Sequence, residues 1–184
     1  QYHNIGLQDR EGGQEIARYL LSMGHRSLMF LANNVNILGG DPQRFFGCQE
    51  VFLEYGLQLE DSSFCPLPDN RKDRSRFYRA LVEQNFPYTA LVFSSDYLAA
   101  EALTYFKEHG IEVPDQISIT GFDDNMYSRL VTPGITTIHQ DSREKGRLAI
   151  CMLMKLLRNE EVENPNILLP VKLVIRESVK DLRS

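Results

Sequence analysis

Short β-rich runs alternate with amphipathic helical stretches along most of this 184-residue chain, and no other feature restricts the fold as much. Gly12-Gly13 opens a helical run with Ile16, Ala17 and Leu20 on one face, stopped by Gly24, and Ser27 to Ala32 then reads as a strand. The pattern continues with a helix over 44–55 ending at Gly56, a short strand over 64–67, a helix over 75–84, a strand over 89–93 and a helix over 97–109 stopped at Gly110. The turn Val113-Pro114-Asp115 launches a further strand, Ile117 to Phe122, which ends at a glycine and two carboxylates, Asp123 and Asp124. A helix over 146–157 and a last strand over 167–176 follow. Pro170, inside that last strand, lacks the N–H that a central ladder needs and predicts an edge or a crossing between lobes. Strands separated by helices of this length need parallel crossovers, so the expected class is α/β with a doubly wound, mainly parallel sheet.

An open α/β sheet holds ligands at the carboxyl ends of its strands, which makes Asp123 a binding candidate on position alone. The polar loop 33–43 is the other segment expected to shape a pocket. Lys and Arg total 20 against 25 Asp and Glu, a net charge of −5 with no basic cluster, so this segment is not expected to grip nucleic acid itself. Cys48, Cys65 and Cys151 have neither zinc-ligand nor disulfide-framework spacing and read as buried, reduced thiols. No signal peptide and no membrane-length apolar run is evident, which predicts a soluble, cytoplasmic protein with no membrane partner. Adjacent carboxylates on a strand point to opposite faces and cannot flank one scissile bond. There is no Gly-x-Ser-x-Gly elbow, dinucleotide loop or P-loop either, so neither catalysis nor a cofactor is expected.

Seven segments then carry a resemblance: Asp9-Arg-Glu-Gly-Gly13, Leu20-Leu-Ser-Met-Gly-His-Arg26, Arg44-Phe-Phe-Gly47, Val113-Pro-Asp-Gln-Ile-Ser118, Gly121-Phe-Asp-Asp124, Thr136-Thr-Ile-His-Gln140 and Leu169-Pro-Val-Lys-Leu-Val-Ile-Arg-Glu-Ser178. In this order and spacing the chain resembles the effector-binding core of the lactose repressor (LacI/GalR) family. The resemblance implies two similar α/β lobes, like those of periplasmic sugar-binding proteins, joined by three crossing segments below a helix-turn-helix headpiece. It places residues 1–140 in the DNA-distal lobe with 167–178 as its final strand. Residues 141–166 become a helical remnant of the other lobe, and the headpiece lies outside this chain.

The resemblance also carries ligand roles onto particular residues. Arg44, the arginine of the Arg-x-x-Gly segment, would reach into the cleft, where a guanidinium can bind hydroxyls or a carboxylate in two places. Asp123 would accept hydrogen bonds from effector hydroxyls, with Asp124 as its structural neighbour. Gln140 sits at a crossing, Leu7 at an apolar position that can wall the pocket, and Asn70 with Arg71 in a loop that can face the cleft mouth. Ser95 departs from the usual Asn-Asp, offering a shorter side chain with one hydroxyl. Each has an ordinary structural alternative: a solvated Arg44, capping roles for Asp123 and Ser95, a hinge glutamine, a core leucine, and a solvated charge run over 71–74. His25 reads as structural, at a helix-to-strand turn.

The function so implied is effector sensing in a bacterial transcriptional regulator. A sugar or sugar phosphate would bind between the lobes and alter how the missing headpiece binds operator DNA. The alternative is a transport-linked sugar-binding protein of the same architecture, which a secretion signal would distinguish. A homodimer is expected through Leu98, Ala102 and Tyr105 of the helix 97–109 and through Met126, Tyr127, Leu130 and Val131. The helix 146–157 is expected to lack a partner for Leu148, Met152, Leu153, Leu156 and Leu157.

Overall fold

The computed structural model describes residues 3–33, 35–36 and 38–183. Its centre is a parallel four-stranded sheet in the order β3-β2-β4-β5, built from β2 (Leu28–Ala32), β3 (Phe64–Pro66), β4 (Ala90–Phe93) and β5 (Ser118–Thr120). Side chains alternate across a strand, and here both faces are apolar. Leu28, Phe30, Ala32, Ala90 and Val92 pack on α1 (Asp9–Ser22) and α2 (Gly40–Glu54). Leu31, Leu91, Phe93 and Ile119 face α3 (Arg71–Glu83) and α4 (Asp96–Glu108). The doubly wound α/β reading is therefore realised as helix, sheet and helix layers. After β3 the chain returns to the opposite side of β2, so the strand order reverses between β2 and β4.

A second region lies beyond that sheet. β1 (Asn4–Leu7) pairs in parallel with β7 (Asn166–Leu169), and β6 (Thr137–Gln140) pairs antiparallel with β8 (Val171–Val174). The run read as one strand over 167–176 is thus two strands in two sheets. Pro170 has no N–H and is the natural break. Single bridges from Thr120 to Thr136 and from Asp123 to His139 attach β6 to the end of β5. Leu148 and Met152 of α6 (Ser142–Leu157) are covered, Leu148 packing on the core that contains Leu7 and Leu169, while Ile150, Leu153, Met154, Leu156 and Leu157 remain exposed. No helix among the described residues is long and apolar enough to cross a membrane.

Other expectations are corrected. Leu98, Ala102 and Tyr105 are not an assembly surface, since they are 4%, 0% and 9% exposed and pack against the sheet. Exposed apolar surface gathers instead on α5 (Met126–Leu130), where Met126, Tyr127 and Leu130 are 62%, 44% and 74% exposed, with Tyr97 edge-on to Tyr127 at 5.4 Å. Of the thiols only Cys48 is buried; Cys65 is half-buried and Cys151 exposed. Part of the expected loop 33–43, residues 34 and 37, lies outside the described residues. Its end is helical: α2 starts at Gly40, because Pro42 in the first turn forgoes an N–H that has no partner within the helix.

α1 and α2 cross closely enough that only glycine fits at two points. A Cβ at Gly13 would lie 1.8 Å from the Arg44 carbonyl oxygen, and one at Gly47 would lie 2.1 Å from that of Arg10. Gly47→Ala is therefore expected to destabilise the protein by about 1–3 kcal/mol through forced separation of the helices, despite alanine's better helix propensity. A urea midpoint equal to or above wild type would show that the crossing can relax.

Candidate functional site

The expected site residues fall at the carboxyl ends of the strands. Arg44 anchors the arrangement, with its side chain only 11% exposed. Its Nε donates to Asp9 Oδ1 at 2.8 Å, and Nη2 lies 2.7 Å from the same oxygen. Nη1 donates to the Ser94 carbonyl at 2.8 Å and to Asp41 Oδ1 at 3.3 Å. The guanidinium carbon sits 3.5 Å from the centre of the Phe122 ring. Four segments thus meet on one cation: the starts of α1 and α2, the end of β4 and the turn after β5. The backbone N–H of Asn33, just past β2, donates to Asp41 Oδ2 and Ser94 Oγ. The cluster therefore spans the gap between β2 and β4, where the strand order reverses and an α/β sheet opens a crevice.

Asp123 borders this cluster. It leaves strand geometry at φ 111°, in a region costly for a non-glycine residue, and is held there by its N–H on the Ile138 carbonyl and by Gln140 Nε2 donating to its Oδ1. Burial raises its pKa, with nearby Asp41 and Asp9 adding to the effect, while Arg44 and the Gln140 hydrogen bond oppose it. Asp124, at φ 52°, turns the other way to meet Arg176, Arg129 and His139. Burial alone would raise its pKa, but those hydrogen bonds outweigh it and hold the carboxylate below its ordinary value. Asp124 is structural, as expected, although the cause is this pair of left-handed residues rather than strand alternation.

Not every expected residue joins the cluster. Leu7 is buried in the core and also lines a groove of about 370 Å³ together with Asp9, Gly40, Gln43 and Leu168. Ser95 caps α4, its Oγ accepting from the Leu98 N–H at 3.4 Å. Asn70 is exposed and caps α3: its Oδ1 accepts from the Asp73 N–H at 2.9 Å and its Nδ2 donates to the Asp73 carboxylate at 2.6 Å. Arg44 also differs from expectation in one respect. Asp9, Asp41 and the Ser94 carbonyl take three hydrogen bonds from Nε and Nη1, and Nη2 lies against Asp9, so a further carboxylate would have to displace one of these partners to be gripped in two places. A cavity of about 460 Å³ between Leu103, Lys107, Val113 and Pro133 contains none of these side chains. His25 is structural, its ring between Thr89 Oγ1 and the Lys180 carbonyl.

Sequence reading gave Asp9 and Asp41 no role and saw Asp96 only as an alternative cap to Ser95. Asp9 stood in a quoted segment, and Asp41 is a first-turn acid one helical turn before Arg44, a spacing that signals pairing. Asp96 is fully buried at the start of α4, accepting from Thr137 Oγ1 at 2.6 Å and from the Asn125 N–H at 2.9 Å. It ties α4, the α5 cap and β6 together directly behind Asp123.

Residues 17–179 match the family described as periplasmic binding protein-like domain. The HTH-type transcriptional regulator DegA of Bacillus subtilis (strain 168) is 28% identical over 180 residues, covering 98% of this chain and 53% of its own length. The HTH-type transcriptional repressor PurR of Salmonella arizonae is 30% identical over 179 residues, covering 93% and 50%. The chain spans about half the length of the curated relatives it matches. The crystal structure of a LacI family transcriptional regulator from Enterococcus faecium with bound ribose superimposes with a TM-score of 0.84 at 23% identity, covering 97% of this chain and 66% of that one.

Burial pushes the Asp96 carboxyl up to about 6 from its ordinary 3.8, against the hydrogen bonds from Thr137 and Asn125. Folding raises this pKa, so the stability contributed by the protonated form is fully present below 3.8 and is lost as pH rises through about 6. The stability of wild type relative to Asp96→Asn should fall by on the order of 3 kcal/mol from about pH 4 to about pH 7. Urea unfolding of both proteins across that range would refute the assignment if their difference stayed constant.

Proposed function

Since the chain belongs to the periplasmic binding protein-like domain family, in the form that LacI/GalR regulators use as their effector-binding core, we propose that it senses a small molecule, a sugar or sugar phosphate, for a cytoplasmic bacterial transcriptional regulator. The observation that carries this reading is the convergence of Arg44, Asp9, Asp41, Asp123 and Gln140 at the point where the strand order reverses. These groups recognise a polar molecule without transforming it. The curated relatives are regulators, a family that performs no catalysis.

Residues 1–140 with 167–178 form the lobe distal to DNA in this reading, and α6 belongs to the lobe nearer the headpiece. β1 and β7 pair beside α6, and Pro170 separates β7 from β8. Effector bound across the crossing strands favours one lobe orientation over another, and only that difference in affinity can alter operator binding by a helix-turn-helix headpiece. Pairing of two chains through α5 and Tyr97 would transmit the change to both headpieces. The transport-linked alternative would give that exposed apolar surface no role.

Two outcomes follow for the full-length protein. Asp123→Ala should weaken effector binding by about 1–3 kcal/mol in titration calorimetry, because it removes a half-buried acceptor and leaves Gln140 without its partner. Unchanged affinity would remove Asp123 from the site. Leu130→Asp, on the exposed face of α5, should shift the protein from dimer to monomer in sedimentation at micromolar concentration while leaving the fold intact. A persistent dimer would place the assembly surface elsewhere.

A further inference from the structure

The cluster around Arg44 is unbalanced. Asp9 and Asp41 both pair with it, and Asp123 lies within electrostatic reach of all three. Three carboxylates against one guanidinium leave two negative charges in excess when all are ionised. The residues outside the description, 1, 2, 34, 37 and 184, carry no charged side chain that could alter this sum.

Hydrogen-bonding capacity is skewed in the same direction. Of the five N–H donors on the Arg44 side chain, those on Nε and Nη1 and one on Nη2 face Asp9, Asp41 and the Ser94 carbonyl, and Phe122 covers one face of the plane. Asp123 offers only acceptors in its ionised form, and Gln140 gives one of its two amide N–H donors to Asp123 and keeps the other together with its oxygen. Apart from those few remaining donors, a molecule bound here meets acceptors and an excess of negative charge. Hydroxyl groups, which donate as well as accept, suit that surface. Phosphate and carboxylate groups, which at neutral pH bring charge and further acceptors, do not.

We infer that Asp9 and Asp41 are specificity determinants, and that by occupying the Arg44 guanidinium they make this lobe select an uncharged polyhydroxy effector over its phosphorylated or carboxylated counterparts. The inference rests on the effector-sensing reading and narrows it, removing sugar phosphates from its scope. It also assigns Asp9 and Asp41 a role exerted through their hold on Arg44.

The test compares matched pairs on the full-length protein: a panel of neutral mono- and disaccharides, their phosphate esters, and inorganic phosphate, each titrated by calorimetry. Wild type should bind one or more neutral sugars and respond to neither the corresponding phosphate ester nor inorganic phosphate at millimolar concentration. Asp9→Asn and Asp41→Asn remove one charge each and loosen Arg44, and each should shift the preference toward the phosphate ester by roughly tenfold or more. Thermal melts identify any variant that fails to fold, and the wild-type selectivity decides the matter without them. A phosphate ester bound by wild type as tightly as its neutral parent, or more tightly, would overturn the inference and leave the effector-sensing reading standing. Wild type that binds neither kind of compound would sink the carbohydrate reading, and this inference with it.

Discussion

A guanidinium held at the edge of a core has to be paired, because an isolated charge with so little solvent is too costly to keep. Arg44 meets that requirement from two directions, through Asp41 on its own helix and Asp9 at the start of another. The second partner dictates how the helices pack. For the start of α1 to reach Arg44, the two helices must approach until backbone nearly touches backbone, and Gly13 and Gly47 make that approach possible. The ion pair, the helix crossing and the placement of the crevice between β2 and β4 are therefore one constraint. Phe122, lying against the guanidinium, brings the turn after β5 into the same arrangement and sets Asp123 beside it.

That turn divides two chemically identical side chains into different roles. Successive left-handed residues aim Asp123 toward Arg44 and Gln140, and Asp124 toward Arg176, Arg129 and His139. One carboxylate ends in a partly desolvated place that raises its pKa; the other is surrounded by donors that lower it. Asp96 fastens the start of α4 to β6 and to the α5 cap, so the turn that carries Asp123 is braced by those elements.

The layers of the fold were legible because periodicity reports which face of an element is apolar, and both faces of this sheet are covered. Periodicity does not report what does the covering. The stripe Leu98, Ala102 and Tyr105 reads the same whether it meets the protein's own sheet or a second chain, and the sheet won. Pro170 was legible as an edge or a crossing, but the strands on either side of it were not, since β7 pairs with a strand 162 positions away and β8 with one only 31 to 37 positions away. Arg44, Asp123 and Gln140 could be found from motifs, whereas the attachment of Asp9 to Arg44 spans 35 positions and has no local signature. Asn70 and Ser95 cap their helices, and a cap is recruited from the same residue types that ligands are, so sequence alone does not separate the two roles.

The break at Pro170 also decides how the region of β1, β7 and α6 is fastened to the rest of the molecule. The chain passes between the two at 7–9, at 140–142 and at 169–171. These passages lie side by side: the Gln8 N–H donates to the Leu169 carbonyl, and Gln140 stands opposite Val171 in the β6–β8 ladder. In the proposed two-lobe reading, three abutting strands would resist twisting more than a single tether would, which would favour opening and closing. Gln140, held by Asp123 and standing opposite Val171, lies where those strands abut.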